Sequence, residues 1–341
     1  MYGMKQIILV IALLFIAPAT GTAAMDEKKP GIFTVVAEND KLRGTDRHFT
    51  HGMRLSYYSG EIRDDWLNQL AELLPNFRHR RHAESWRANL ALGQNIYTPA
   101  DITVAELQTD ERPYAGFLYL GLGIVRAEQD EKGHPRLIDS FELQLGVVGP
   151  MAYAGEVQTW WHANVASAPK PMGWDHQLHN EPVVNLYWDR QWRHLLKVTE
   201  QNRWEWDLFP HVGLALGNAD SHLSSGVTLR FGKGLENDNG PPRIRPSLPG
   251  AGYFRKVPGL SGYFFIGAEG RLVGRNIFLD GNTFRNSHRI SKHPFGLDGQ
   301  YGFALAYGGY RLAITNIVRG QEFKGQQRPD RFTAVSFSWQ R

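Results

Sequence analysis

The sequence contains no cysteine, so neither disulfide bonds nor a thiolate nucleophile are available to this protein. Its continuous apolar run, Ile7–Ala17, holds roughly 10 residues, whereas a helix needs about 20 to cross a bilayer. The chain also lacks the Gly-x-Ser-x-Gly and His-Glu-x-x-His motifs of common hydrolases. These absences argue against a small disulfide-stapled fold, a helical membrane protein and the hydrolases that carry those signatures.

The N-terminal segment has the features of a secretory signal peptide. Lys5 supplies a positive charge, Ile7–Ala17 is apolar, and Pro18–Ala24 ends in small residues suited to cleavage. We therefore expect residues 1–24 to be a signal peptide and residues 25–341 to form one domain outside the cytoplasm.

The composition combines many aromatic residues and glycines with modest apolarity. The chain has 36 Gly, 10 Trp, 13 Tyr and 18 Phe, yet only 42% of its residues are hydrophobic. Its formal net charge of +4 is compatible with anionic lipid or phosphate partners. Because no basic cluster is interleaved with stacking aromatics, we do not expect nucleic acid to be a partner.

Apolar residues recur with period two from Gly31 onward, which is the pattern of β-strands with two different faces. About twelve segments have this pattern, and most are near the 9–11 residues that a tilted strand needs to cross a bilayer. The predicted strands are Ile32–Asp40, Phe49–Gly60, Glu84–Tyr97, Tyr114–Ala127, Leu137–Val148, Pro182–Arg193, Arg203–Gly217, Leu223–Gly232, Gly262–Arg275, Leu297–Tyr307, Tyr310–Val318 and Arg331–Trp339.

The two faces of these strands distinguish a membrane barrel from a soluble sandwich. In the second strand, strict alternation places His51 and Met53 on one face, with Thr50 and Arg54 on the other. A sandwich would expose its polar faces to solvent, whereas a barrel encloses them in a polar lumen and turns apolar faces to lipid. The mid-strand ionisable residues are Arg54, Glu142, Glu205, Asp207, Glu269 and Arg271. The sequence therefore predicts an all-β fold, a 12-stranded antiparallel transmembrane β-barrel of the outer membrane.

The longer connections should lie at one end of this barrel. If the N-terminus is periplasmic, the connections after odd strands face the exterior. They include Lys41–His48, Thr98–Arg112, Gly149–Glu181, Asn276–Gly296 and Arg319–Asp330. Two inner connections are also long: residues 61–74 have apolar residues at helical spacing, and residues 233–258 resemble an irregular turn. Within the second, Asn237–Gly240 is a turn signal rather than a calcium loop.

The connection Gly149–Glu181 is predicted to contain a short helix over Tyr153–Val165, before the prolines that follow. Gln158 and His162 stand four residues apart and share one helix face, as an acid–base pair would require. Trp160 and Trp161 beside them add amphipathic surface of the kind found at membrane interfaces. The alternative is a surface helix whose histidine is merely solvated.

Polar residues also gather at the outer ends of the first three strands. Asn39 and Asp40 end strand one, Thr50 begins strand two, and Gln94 lies near the outer end of strand three. Their hard oxygen atoms suit calcium rather than zinc, and a histidine above such a site is able to activate a water. The alternative for Asn39-Asp40 is a turn cap, since both residue types favour turns.

The ordered set of these motifs carries a family resemblance. Its segments are Ala37–Asp40, Phe49–Gly52, Gln94–Pro99, Gly149–Pro150, Gly155–Gln158 with His162, and Trp174–Gln177. Spread in this order over nearly the whole mature chain, they resemble the outer-membrane lipid A 3′-O-deacylase family.

The resemblance implies calcium-dependent removal of the 3′-linked acyloxyacyl chain from lipid A in the outer leaflet of a Gram-negative outer membrane. The family's catalytic Asn and Asp fall on Asn39 and Asp40, its Thr on Thr50, and its His on His162. The implied mechanism resembles that of secreted phospholipase A2, with His162 as general base and Ca2+ held by Asp40 and Asn39. Asn39 and Thr50 would orient the cation, the water or the substrate.

Three further residues are predicted to bind substrate: Gln158, Gln94 and Arg112. Arg112 would meet the phosphates of lipid A. Other loop cations with the same potential role are Arg43, Arg47 and Lys170. The expected partners are lipopolysaccharide and outer-membrane lipids, and the chain is expected to be a monomer. The rival hypotheses are an inactive barrel that binds lipopolysaccharide or has a structural role, and a small-solute pore.

Overall fold

The structure is a computed structural model that describes residues 31–40, 47–62, 84–131, 134–193, 196–199, 204–240 and 254–341. The expected signal peptide, residues 1–24, lies outside the described residues. So does the expected helix of the connection at 61–74, from residue 63 onward.

One antiparallel sheet contains all the strands of the described chain. They are β1 Ile32–Asn39, β2 His48–Tyr58, β3 Glu84–Thr98, β4 Ala115–Gln129, β5 Pro135–Val148, β6 Glu181–Trp192, β7 Leu196–Thr199, β8 Glu205–Gly217, β9 Asp220–Lys233, β10 Val257–Asn276, β11 Phe295–Gly308, β12 Tyr310–Arg319 and β13 Asp330–Gln340. Apart from the short β7, each corresponds to a predicted strand, with bounds that differ by a few residues.

The sheet closes on itself as a barrel. β1 pairs with both β2 and β13, and β6 pairs with both β5 and β8. The short β7 pairs with β8 beyond the stretch that β6 occupies, so β6 and β7 together count as one strand of the barrel. The barrel therefore has twelve strands around its wall, which confirms the predicted 12-stranded antiparallel barrel.

The helices are short and lie in the connections. α1 spans Ala154–Trp161 and continues directly into a π-helical turn, His162–Ala166, as the predicted helix over Tyr153–Val165 required. α2 spans Ile277–Asp280. Single 3-10 turns occur at Pro150–Ala152, Trp174–His176 and Leu235–Asn237. In the described part of the chain, no helix has both the length and the apolarity to cross a membrane.

The outside of the wall is apolar. Along β4, Leu120 and Leu122 are exposed, whereas Tyr119, which lies on the opposite face of the strand, is buried. Leu186 on β6 and Ile266 on β10 are likewise exposed. Because this exposure alternates along each strand, the apolar residues form a belt around the barrel.

The inside of the wall carries paired charges. Arg54 donates two hydrogen bonds to Glu142, at 2.9 and 2.6 Å. Arg126 and Arg190 both donate to Asp139, at distances between 2.6 and 2.9 Å. Mid-strand charges such as these thus lie inside the barrel, as the opposed faces of the strands predicted, and the partners of Arg54, Glu142 and Asp139 offset their desolvation.

The turn between β9 and β10 folds into the inner end of the lumen. The carboxylate of Asp238 accepts from Arg311, and its backbone carbonyl accepts from Arg230 at 3.0 Å and Arg193 at 2.7 Å. Asn237–Gly240 is therefore a turn, as predicted, and its acid pairs with an arginine. Residues 241–253 of the same connection lie outside the described residues.

The outer connections pack against one another above the lumen. His48, 2% exposed, lies 2.8 Å from Asp330 through Nδ1 and 3.1 Å from Glu111 through Nε2. Arg112 donates to Glu322 at 3.2 Å. These contacts join three connections that the sequence placed at the same end of the barrel.

Candidate active site

The long connection between β5 and β6 folds over the outside of the wall. Gly116 on β4 faces this segment, and a Cβ at that position would lie 2.4 Å from the Cβ of Ala154 and 3.0 Å from that of Ala152. Gln94 on β3 donates to the carbonyl of Ala152 at 2.6 Å. Because Gly116 has no side chain, the segment that begins α1 packs directly on the outer face of the barrel, and the hydrogen bond from Gln94 holds it there.

A cleft of about 30 Å³ lies between α1 and the wall, enough for a water molecule or a cation. The residues that line it are Asn39, Thr50, His51, Ile96, Val157, Gln158, Trp161 and His162. The structure thus brings together Asn39, Thr50, Gln158 and His162, which the sequence singled out from three separate segments. The cleft opens on the lipid-facing side of the wall, not into the lumen.

Thr50 reaches the cleft through a β-bulge. The pairing of β2 with β3 shifts between Phe49 and His51, which leaves Thr50 as the extra residue. Strict alternation placed Thr50 on the face opposite His51, and that prediction is wrong: both residues line the cleft. The Thr50 hydroxyl lies 2.8 Å from that of Thr98 on β3, which fixes its position.

The ring of His162 is oriented by the backbone of its own connection. Its Nδ1 lies 2.6 Å from the carbonyl oxygen of Pro169, so Nδ1 carries the proton and donates it. In the neutral ring, the lone pair then resides on Nε2. The imidazole is 4% exposed and lines the cleft, so its basic nitrogen is held in one orientation.

Gln158, one helical turn before His162, has one end of its amide engaged. Its Oε1 accepts from Trp174 Nε1 at 2.9 Å. Its buried Nε2 has no hydrogen-bond partner within the described chain. Gly155 lets Trp174 pack closely on α1, since a Cβ there would lie 3.0 Å from the indole ring. The cleft therefore contains an amide donor that a ligand is able to use.

Asp40 lies immediately beyond the end of β1 and is 2% exposed. Its Oδ2 accepts from the backbone N–H of Arg47 at 2.6 Å, and its own N–H points to the carbonyl of Thr50 at 3.5 Å. The backbone of Asp40 therefore pairs with β2 and its carboxylate is held by Arg47, but Asp40 is not among the residues that line the cleft. Among the described residues, no group of three or more His, Asp or Glu side chains is arranged to hold a metal ion.

Two predicted substrate-binding residues lie elsewhere. Gln94 supports the loop through Ala152 and does not line the cleft. Arg112, 1% exposed, lies among the outer connections above the lumen, where it pairs with Glu322. Its guanidinium carbon lies 5.0 Å from the ring centre of Tyr97. Neither side chain is placed at the cleft.

Sequence reasoning did not assign a role to His51 or to the carbonyl of Pro169. His51 lines the cleft, stacked 6.0 Å from the ring of Trp161. The signal that could have identified His51 is its alternation with Met53, which placed a histidine on the lipid-facing side of β2. A backbone carbonyl leaves no side-chain signature, so the contact of Pro169 with His162 is visible in the structure alone.

Comparisons with known proteins agree with this fold. The sequence profile of the family described as outer membrane protein LpxR matches residues 8–341. A search of curated proteins gives no match. Among solved structures, LpxR from Salmonella typhimurium superposes with a TM-score of 0.72 at 18% identity, covering 91% of this chain and 100% of that one.

Two autotransporter barrels are less similar. The β domain of the Bordetella autotransporter Brka has a TM-score of 0.44 at 9% identity, covering 91% of this chain and 98% of that one. The translocator domain of NalP from Neisseria meningitidis has a TM-score of 0.38 at 10% identity, covering 100% and 96%. Likeness at this level reflects a shared barrel shape and carries no functional argument.

Proposed function

The chain belongs to the family of the outer membrane protein LpxR, and on that premise we propose that it is an outer-membrane lipid A deacylase. The reaction is hydrolysis of the ester that links the 3′ acyloxyacyl chain to lipid A. The observation that carries the proposal is the meeting of Asn39, Thr50, Gln158 and His162 in one cleft on the lipid-facing side of the wall.

The surroundings of the cleft suit a lipid substrate. Trp161 lines the cleft and is exposed, and Trp160 and Val165 on the same helical segment are exposed as well. Met53, two residues along β2 from His51, continues this surface into the apolar belt of the barrel. An acyl chain is therefore able to lie against the wall while its ester group reaches the polar end of the cleft. If the N-terminus is periplasmic, the cleft lies at the outer end of the barrel and faces the outer leaflet.

His162 is the general base of the proposed reaction. Its Nε2 takes a proton from a water molecule whose oxygen attacks the carbonyl carbon of the ester. The bond between that carbon and the sugar oxygen then breaks, and the imidazolium gives its proton to the departing alkoxide. The carbonyl of Pro169 keeps Nδ1–H engaged throughout and so favours the tautomer that accepts at Nε2.

The residues proposed to hold a calcium ion are Asp40 and Asn39, which are adjacent at the end of β1 and would offer a carboxylate and an amide oxygen. One carboxylate with neutral oxygens is a hard set of the kind that Ca2+ prefers. Bound there, Ca2+ would supply positive charge to the carbonyl oxygen of the ester as negative charge develops on it.

Gln158 is the second source of stabilisation for that oxygen. Its Oε1 is fixed by Trp174, so its Nε2–H bonds point in a set direction within the cleft. A donor placed in advance at the site where charge develops lowers the barrier without reorganisation during the reaction. Thr50, fixed by Thr98, orients the water or substrate at the opposite wall.

The second candidate function is a barrel that binds lipopolysaccharide without cleaving it, which the apolar outer surface also suits. Mass spectrometry of lipid A separates the two. Cells that produce the protein should lose one acyloxyacyl unit from lipid A, and cells that produce His162→Ala should not. An unchanged lipid A spectrum with the folded wild-type protein in the outer membrane would leave the binding function in place.

A further inference from the structure

The segment that joins β12 to β13, residues 320–331, separates its charges by sign; we call it the rim segment. Its two acids, Glu322 and Asp330, turn inward and contact side chains outside the segment, at 3.2 and 2.8 Å. Its three cations, Lys324, Arg328 and Arg331, are all exposed. The outer surface of the rim segment is therefore positively charged, because its own acids are used on the inside.

Gln326 holds the rim segment in one shape. This side chain is 4% exposed, and its Oε1 accepts from the backbone N–H of Glu322 at 2.6 Å. Its Nε2 donates to the carbonyl of Arg328 at 3.1 Å and to the carboxylate of Asp330 at 3.0 Å. Because these hydrogen bonds join both ends of the segment to its middle, the exposed cations project from a fixed backbone.

Arg331 lies on the same face of the wall as the cleft and one strand away from it. Asn39, which lines the cleft from β1, is the Cα partner of Thr333 on β13. Residues two apart in a strand point to the same face and are separated by about 7 Å, and neighbouring strands are about 4.8 Å apart. Arg331 is therefore one strand to the side of the cleft and about 7 Å nearer the outer rim.

The wall below Arg331 is apolar on this face. Val335 on β13 is the Cα partner of Ala37 on β1, and Phe337 is 44% exposed. On the other side of the cleft, α1 and the turn before it pack over β3 and β4. A lipid is therefore able to lie along β1 and β13, with its acyl chains on the apolar wall, an ester at Asn39 and an anionic headgroup beside Arg331.

We propose that Arg331, together with Arg328, binds a phosphate group of the lipid A headgroup and so orients the ester toward the cleft. A guanidinium suits this ligand because its planar fork donates two parallel N–H bonds to phosphate oxygens. The inference rests on the proposed function for its ligand, since lipid A is the phosphorylated lipid proposed to occupy the wall. It assigns to the rim segment the role that was predicted for Arg112, which the structure places above the lumen.

Two variants remove the charge without altering the cleft: Arg331→Gln, and Arg328→Gln combined with Arg331→Gln. The matched control is Arg136→Gln, an exposed arginine at the start of β5, at the opposite end of the barrel. All three are made in a His162→Ala parent, so that the lipid is not consumed. Calorimetry measures binding of the full chain in detergent micelles to phosphorylated lipid A and to lipid A whose phosphates have been removed. Resistance to unfolding in detergent is the folding control.

The proposal predicts about 5-fold weaker binding of phosphorylated lipid A for Arg331→Gln and about 25-fold for the double variant, the usual effect of basic residues beside anionic lipid. Neither variant should differ from the parent on dephosphorylated lipid A, and Arg136→Gln should match the parent on both lipids. Equal binding by the parent and the double variant would overturn the proposal. So would a loss that persists on dephosphorylated lipid A, or competition by inorganic phosphate at the concentration of the lipid phosphate.

The deacylase activity is tested separately. Lipid A mass spectra of cells that produce the protein with His162 in place report cleavage, whereas the binding measurements report recognition of the headgroup. A barrel that binds phosphorylated lipid A through Arg331 but cleaves nothing would uphold this inference and contradict the deacylase. A parent protein that binds neither lipid would overturn this inference together with its ligand.

Discussion

Gly116 lies directly beneath Ala154, so close that a Cβ on Gly116 would come within 2.4 Å of the Ala154 Cβ. This contact is where α1 meets the barrel wall, and it sets the distance between His162 on the helix and Asn39 on β1. The geometry of the cleft therefore depends on a glycine that takes no part in the chemistry.

The first prediction concerns that contact. Gly116→Ala should lift the start of α1 from the wall and lower deacylation by about 10²-fold, since misplacement by about 1 Å has a cost of that order. The barrel should still fold, because the β4 ladder is unchanged. Lipid A mass spectrometry measures the loss. The matched control is Gly299→Ala, where the added Cβ meets nothing closer than 4.0 Å; equal activity of both variants would contradict the prediction.

The second prediction concerns the proposed base. His162→Ala should lower the rate by about 10²–10⁴-fold, the usual contribution of a general base, with little change in the amount of folded barrel. His176→Ala, an exposed histidine of the same connection, is the control and should retain activity. Activity of purified protein on lipid A vesicles gives the rates. Comparable rates for the two variants would remove His162 from the mechanism.

The third prediction concerns the cation. Chelation of calcium should abolish activity, and added calcium should restore it in the wild type. Asp40→Ala should lose activity that excess calcium does not fully restore, because the charged ligand itself is absent. Asp175→Ala, an exposed acid of the loop after α1, should respond to calcium as the wild type does. Full recovery of Asp40→Ala at high calcium would argue against a direct role for this carboxylate.

The fourth prediction concerns pH. Burial alone would raise the pKa of Glu322, but Arg319, Arg112 and Arg271 outweigh it and lower the pKa from 4.5 to about 2. A carboxyl whose folded pKa is depressed stabilises the fold above its unfolded pKa and loses that contribution as the pH falls through the folded value. Glu322 should therefore contribute on the order of 3 kcal/mol at neutral pH, declining between about pH 4.5 and 2.

Denaturant unfolding in detergent at pH 7, 4 and 3 tests this. The wild type should lose free energy of unfolding across that range, and Glu322→Gln should lose less while starting lower. Glu156→Gln, on an exposed side of α1, should behave as the wild type. Parallel curves for the wild type and Glu322→Gln would show that the arginine cluster does not depend on this carboxylate.

The fifth prediction concerns conductance. The lumen contains the Arg54–Glu142 pair along its length and the Asp238–Arg311 pair at its inner end. The protein should give no steady single-channel current in a planar bilayer, in contrast to a porin inserted in parallel. Regular ohmic steps would favour the pore hypothesis.

Most of the barrel was predictable because period two runs through most of the length of the strands, apart from bulges such as the one at Thr50. Ionisable residues such as Arg54 alternate with apolar residues such as Met53, and that contrast distinguishes a lumen from a lipid face. The short β7 was not predictable as a separate strand. It pairs with β8 further along than β6 does, and local sequence does not indicate which residues after β6 pair with β8 again.

The site was predictable in its members but not in its geometry. Asn39, Thr50 and His162 stood out by type and position, yet alternation assigned Thr50 to the wrong face because a bulge changes the count by one residue. Arg112 was chosen for its charge, but its pairing with Glu322 across 210 positions depends on how distant loops meet. Contacts between residues so far apart in sequence arise because the barrel closes and brings distant connections together, and no local sequence pattern indicates them.

The position of the cleft on the outside of the barrel wall has a consequence for the supply of substrate. Because the cleft opens to the lipid-facing side of the wall, a lipid arrives and departs by diffusing sideways in its own leaflet. Turnover should then follow the surface density and fluidity of that leaflet, and a substrate dispersed in bulk solution at the same total amount should be a poor measure of the rate.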